Sequence, residues 1–174
     1  MAITLTAVPQ LLPRVYAIDY ISSYVIVGGL VILPAGMPLK DAALRNRRGN
    51  WYAVYDAIQT VAMTAELTDL TQQSCILADV LAHRINVSYD KMVGEIVSKL
   101  NGTAVKNMRH LVQLLMAAEE AGGEITLDFQ TSNEASSRAY VVFDAAEAKA
   151  CSDEILSLHK VPSWCSPELL IDQA

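Results

Sequence analysis

The stretch IVSKLNGTAVKNMRHLVQLLMAAE, residues 96–119, carries the clearest architectural signal in the chain. Its first five residues are β-branched or apolar at most positions and suit a half-buried strand. Asn101-Gly102 follows, a strong signal for a two-residue hairpin, because both residues tolerate positive φ. Thr103-Ala104-Val105 starts a return strand. Asn107 is placed to cap a helix by accepting from a free N–H of its first turn. Met108, Leu111, Val112, Leu114, Leu115 and Ala118 then recur at the three- and four-residue spacing of one helix face. Gly122-Gly123 supplies the left-handed geometry that ends a helix. Residues 124–129 alternate polar and apolar, as a strand with one buried face does.

Around this unit, the 174 residues bound a single elaborated domain, and a 52% hydrophobic composition is ample for a core. Only 18% of residues are charged, a low share that points to apolar surface meeting a partner. The net charge of −6, with no basic run beyond Arg45-Asn46-Arg47-Arg48, argues against nucleic-acid binding. The cysteines Cys75, Cys151 and Cys165 are widely spaced and form no CxxC pair. They give little support to a metal or redox dithiol site and fit a reducing compartment. Residues 1–6 lack a basic n-region and a long apolar run, so no secretory signal is read there. The apolar stretch 25–39 is broken by Gly28, Gly29, Pro34, Gly36 and Pro38, and is too short for a membrane span.

Pro9 and Pro13 make residues 1–14 an extended lead-in. Residues 24–33 read as a strand preceded by, or containing, a Gly-Gly loop, ended by Pro34-Ala35-Gly36-Met37-Pro38. Residues 39–49 read as a polar, mobile connection. Asn50 then caps a helix with Trp51, Val54, Tyr55, Ile58, Val61 and Ala62 on its apolar face. A buried strand is expected within 72–81, a connection over 86–94, a polar loop over 131–137 and a strand over 138–143. Asp144 with Glu147 forms a capping-box pattern for a helix reaching about His159, which Pro162 stops. Short strands, hairpin signals and no regular βαβ alternation give an α+β class with a small antiparallel sheet.

The segment VSKLNGTAVKNMRHLVQLL resembles the strand–turn–helix unit of PDZ domains in the Deg/HtrA serine proteases. YVIVGGLVILPAGMPL, LADVLAHRINVSYDKM and AYVVFDAAEAKACSDEILSLHKVPSWCSPELL extend the likeness to the second, carboxyl-terminal PDZ-like domain of the plant-type members. The helix-bearing insert over 39–72 is similar to that subgroup and unlike ordinary PDZ domains. The resemblance runs over residues 15–174, with 144–174 as a terminal helix and tail. It implies a PDZ-like small barrel with a groove helix, a non-catalytic docking module, and a chain detached from a larger serine endopeptidase. No Gly-Asn-Ser-Gly-Gly nucleophile segment occurs in it.

In such domains an extended peptide adds as a strand beside a glycine loop, using main-chain bonds for affinity and pockets for selection. The expected binding residues are Val27, Gly28, Gly29, Leu30, Val31, Ile32 and Leu33 on the loop and strand, with Leu111, Leu114 and Leu115 on the helix. The same residues would also serve as ordinary core. No Lys or Arg lies between Asp19 and Pro38 to favour a free carboxylate, so the expected guest is a neighbouring domain or subunit segment, with homo-oligomer assembly and regulation of proteolysis as the role. Two alternatives remain open: capture of substrate tails, and an independent small cysteine hydrolase. For the latter, Cys151 and His159 share one helix but stand about 12 Å apart at 1.5 Å per residue. No catalytic residue, metal or cofactor is assigned. Chloroplast is the compartment the resemblance implies, with nucleus and mitochondrion as alternatives.

Overall fold

The computed structural model describes residues 12, 22–46, 50–64, 71–130 and 139–171. Most of the lead-in over 1–14 and the loop over 131–137 lie outside the described residues. Strands β1 (Val25–Val27) and β2 (Leu30–Pro34) form a hairpin across Gly28-Gly29. Both glycines have positive φ, +55° and +87°, as a tight two-residue turn between twisted strands requires. Helices α1 (Met37–Arg45) and α2 (Trp51–Thr64) precede β3 (Cys75–Val80). Two short 3-10 turns, Arg84–Asn86 and Tyr89–Met92, lead to β4 (Ile96–Leu100). Asn101 and Gly102, again at positive φ, close the hairpin to β5 (Thr103–Ala104).

Helix α3 (Met108–Ala121) follows, capped by Asn107, whose side chain accepts from the His110 N–H at 2.8 Å. Strands β6 (Glu124–Gln130) and β7 (Ala139–Asp144) come next, then α4 (Ala145–His159). Asp144 caps α4 by accepting from the Glu147 N–H at 2.8 Å. The strands make one antiparallel seven-stranded sheet in the order β1-β2-β3-β4-β6-β7, with β5 joined to β4. This is the α+β class that the hairpin signals predict, in the PDZ-like form that the resemblance implies.

The central strand β3 is buried on both faces over Cys75–Ala78. In β3, Cys75 and Leu77 face one core while Ile76 and Ala78 face another, in keeping with the two-residue period of a strand. The first core packs the sheet against α3 and α4 through Met108, Leu111, Leu115, Ala145 and Ala148. The second packs its other side against α1 and α2 through Leu39, Ala43, Val54, Ala57, Ile58 and Val61. Burying a side chain such as Ile76 or Leu77 contributes about 1.5–3 kcal/mol.

The insert differs from its sequence reading in two ways. Residues expected as a mobile connection from position 39 belong largely to α1. Gly36 sits at its N-cap and Pro38 in its first turn, where a missing N–H costs nothing, and Leu39 and Ala43 bury one turn apart. Two apolar contacts on a short helix leave too faint a periodic signal to stand out among polar residues. In α2, Asn50 directs its side chain outward and donates to the Asp90 carbonyl at 3.0 Å. Ala62, expected on the apolar face, is exposed, and Ala57 is buried in its place.

Candidate functional site

The Gly28-Gly29 turn is packed from both sides. A Cβ added to Gly28 would lie 2.5 Å from the ring of Phe143, and one added to Gly29 would lie 2.6 Å from the Leu81 carbonyl oxygen. Asn86, only 3% exposed, donates from Nδ2 to the carbonyls of Gly28 and Leu81, both at 2.8 Å. The Leu81 N–H donates to Gly29 O at 2.8 Å. Glycine is needed here because the backbone is left-handed and because neighbours occupy the space of any side chain.

The strand after this turn is not an edge. β2 pairs with β1 on one side and with β3 on the other, Ile32 lying opposite Val25 and opposite Leu77. The expectation that the main chain of Leu30–Leu33 offers an open docking edge is therefore corrected. The reason is the brevity of the loop: two glycines fold β1 straight back onto β2, and β1 takes the position a guest strand would need.

The side chains proposed as pocket walls do meet. Leu30, Ile32, Leu111 and Leu115 all belong to the first core and are at most 1% exposed. Val27 joins them, Leu114 packs against them half-buried, and Leu33 packs into the second core. Val31 is half-buried. The wall between α3 and the sheet is thus filled by the protein's own residues.

The outer edge of β1 is occupied by the carboxyl-terminal segment. The Ile26 N–H donates to Trp164 O at 2.6 Å, the Ser166 N–H to Tyr24 O at 3.0 Å, and the Tyr24 N–H to Ser166 Oγ at 2.9 Å. Cys165 bridges to Val25 and is fully buried. Arg109, on the first turn of α3, secures the tail beyond Ser166: its guanidinium donates to the carbonyls of Glu168 at 2.8 Å, Leu169 at 3.4 Å and Ile171. Arg109 is half-buried, because a planar group with five donors can satisfy several free carbonyls of a chain end at once. The contact spans about sixty positions, and no local pattern announces it.

The cysteines lie in different surroundings. Burial pushes the Cys75 thiol up to about 12. Cys165 is also raised, first by burial and then by the nearby Glu168 carboxylate. Neither is a ready thiolate nucleophile. Cys151 accepts from Arg84 Nη2 at 3.3 Å, and its neighbouring histidine is His83. His159, the histidine that shares a helix with Cys151, turns its Nε2 to the Ala82 carbonyl at 3.2 Å. The Cys151–His83 proximity was not legible in the sequence, because the two residues are far apart in the chain and meet only when α4 packs beside the segment after β3.

Residues 13–168 match the PDZ domain family, and the chain belongs to that family. It is 28% identical to "Protease Do-like 2, chloroplastic" of Arabidopsis thaliana over 163 residues, which is 91% of this chain and 24% of that protein. It is likewise 28% identical to "Putative protease Do-like 3, mitochondrial" of the same plant over 167 residues, 95% of this chain and 26% of that protein. The "Protease Do-like 4, mitochondrial" is again 28% identical, over 90% of this chain and 25% of its own length. The chain thus spans about a quarter of the length of these relatives. It is a PDZ domain homologous to the Do-like proteases. Among the described residues no helix is long and apolar enough to cross a membrane.

Proposed function

We propose that this PDZ domain is a non-catalytic docking module of a Do-like serine endopeptidase, contributing to subunit assembly and to regulation of proteolysis in a plastid or mitochondrion. One observation carries the choice of a partner domain over a free substrate tail. The glycine turn is roofed by Phe143, and the strand beside it is bonded on both edges. A carboxylate arriving at Gly28-Gly29 finds neither space nor an open edge for strand addition. Val27–Leu33 with Leu111, Leu114 and Leu115 then act as the rigid body behind the docking surface. The surface itself is placed on the insert helices, where Tyr52 is 59% and Met63 is 80% exposed. Large apolar and aromatic side chains in the open suit a broad protein–protein contact.

The test compares one apolar peptide with a free and with an amidated carboxyl end, and measures the oligomeric state of the parent protease carrying Tyr52→Ala and Met63→Ala. The expected outcome is no difference between the peptides and a shift of the variant to smaller assemblies. Tight binding of the free peptide, abolished by amidation, would establish a substrate-tail site and overturn the reading.

A further inference from the structure

His83, Cys151 and Glu154 offer an imidazole nitrogen, a sulfur and a carboxylate oxygen that all lie within 4.8 Å of one another. His83 Nε2 stands 3.5 Å from Glu154 Oε2. The three come from two elements. Cys151 and Glu154 are three positions apart on α4, so they share a face of that helix. His83 begins the 3-10 turn after β3.

A second observation sets this group apart from a surface ion pair. The His83 side chain is only 6% exposed, so its imidazole is fixed by the fold and not by solvent. Its Nε2 faces a carboxylate at the long end of contact range, with the Cys151 thiol nearby, and is placed to take a ligand bond.

We infer that His83, Cys151 and Glu154 form a binding site for a zinc-class divalent cation that ties α4 to the turn at Arg84–Asn86. The donor set selects the metal. Thiolate and imidazole favour Zn²⁺ over Mg²⁺ and Ca²⁺, which take oxygen donors. Bonds of about 2.0–2.3 Å in a tetrahedron need ligand atoms about 3.3–3.8 Å apart. The His83–Glu154 separation already falls in this range. Glu154 is 67% exposed and free to adjust, while Cys151 and His83 are held by the packing around them. A water completes the fourth position on the open side.

The surroundings supply an outer shell. Arg84 Nη2 donates to the Cys151 sulfur at 3.3 Å and would continue to do so for the metal-bound thiolate. Arg84 is itself held by Glu147 at 2.8 Å. Binding forms bonds from the metal to nitrogen, sulfur and oxygen and releases the thiol proton to solvent; no redox change occurs. The consequence is structural. The same turn carries Asn86, whose amide holds the Gly28 carbonyl, so metal at His83 braces the glycine hairpin through one short segment. This inference stands independently of the docking reading.

The experiment titrates the chain, free of any histidine tag, with Co²⁺ and then Zn²⁺. The expected result is one Co²⁺ per chain with a sulfur-to-cobalt charge-transfer absorption, displaced by one equivalent of Zn²⁺, and a zinc-dependent rise in Tm. Cys151→Ser removes the absorption, while Cys165→Ser retains it. Glu154→Gln, at an exposed position that leaves folding intact, weakens binding at least about tenfold, since even outer-shell changes cost that much. This variant decides the matter if Cys151→Ser fails to fold. Absence of the absorption in the folded chain, its persistence in Cys151→Ser, or unchanged affinity in Glu154→Gln would each overturn the site.

Discussion

The ring of Phe143 covers Gly28 so closely that a Cβ built on the glycine would lie 2.5 Å from its Cζ. β7 thereby seals the turn of the β1–β2 hairpin from the far end of the sheet order, and the ring is braced in turn by Tyr89, edge-on at 5.6 Å between centroids.

Replacing Gly28 by alanine therefore meets two penalties. The left-handed backbone costs about 1–2 kcal/mol for an L-residue, and Phe143 must shift. Urea denaturation should show a loss of at least that size. In a Phe143→Ala background the added cost of Gly28→Ala should shrink by about 1 kcal/mol, because the two positions are in contact. A Gly28→Ala variant as stable as the parent would show that the turn is not closed.

Arg109→Ala should free the tail. Its three carbonyl acceptors return to solvent, and a charged donor set of this kind contributes about 1.5–3 kcal/mol. Amide exchange at Ile26 and Ser166 should accelerate, since their bonds join β1 to the tail. Arg109→Lys should recover only part of the protection, because an ammonium cannot present the same planar fork. Unchanged exchange in Arg109→Ala would remove the clamp assignment.

Leu111→Asp and Leu115→Asp should each unfold or nearly unfold the domain, a carboxylate buried without a partner costing several kcal/mol. Gln113→Asp, between them in sequence but exposed on the opposite side of α3, should stay within about 0.5 kcal/mol of the parent. Thermal melts of the three variants read the outcome. Equal Tm values would mean that the buried face of the helix is wrongly placed.

Stability should fall at alkaline pH through Cys75. Its folded thiol titrates at about 12, against an ordinary 9.0. Between those values the unfolded chain has lost a proton that the folded chain keeps. Stability is therefore full below about pH 9 and declines as pH rises towards 12, by at most about 1.4 kcal/mol per pH unit for this one group. Cys75→Ala should show a shallower decline over that window in denaturation measured at stepped pH. An identical slope would assign the loss to other groups.

Local elements were written into the chain. Asn101-Gly102, the Asn107 cap, the α3 face and the Asp144 cap each rest on interactions within a few residues, so their signals survive in a single sequence. The same locality explains why the leucines of α3 were recognisable as one face. Whether that face borders an open groove or a filled core was settled by three-dimensional packing alone, because the answer lies in strand neighbours far away in sequence. β1 lies on one side of β2 and β3 on the other, and the tail lies along β1 with Arg109 holding its carbonyls. The approach of His83 to Cys151 and Glu154 belongs to the same class. Hydrogen bonds and ligand geometries of this kind depend on distances of a few ångströms between segments about sixty to well over a hundred positions apart. Residue periodicity carries no information on that scale; only packing brings such groups together.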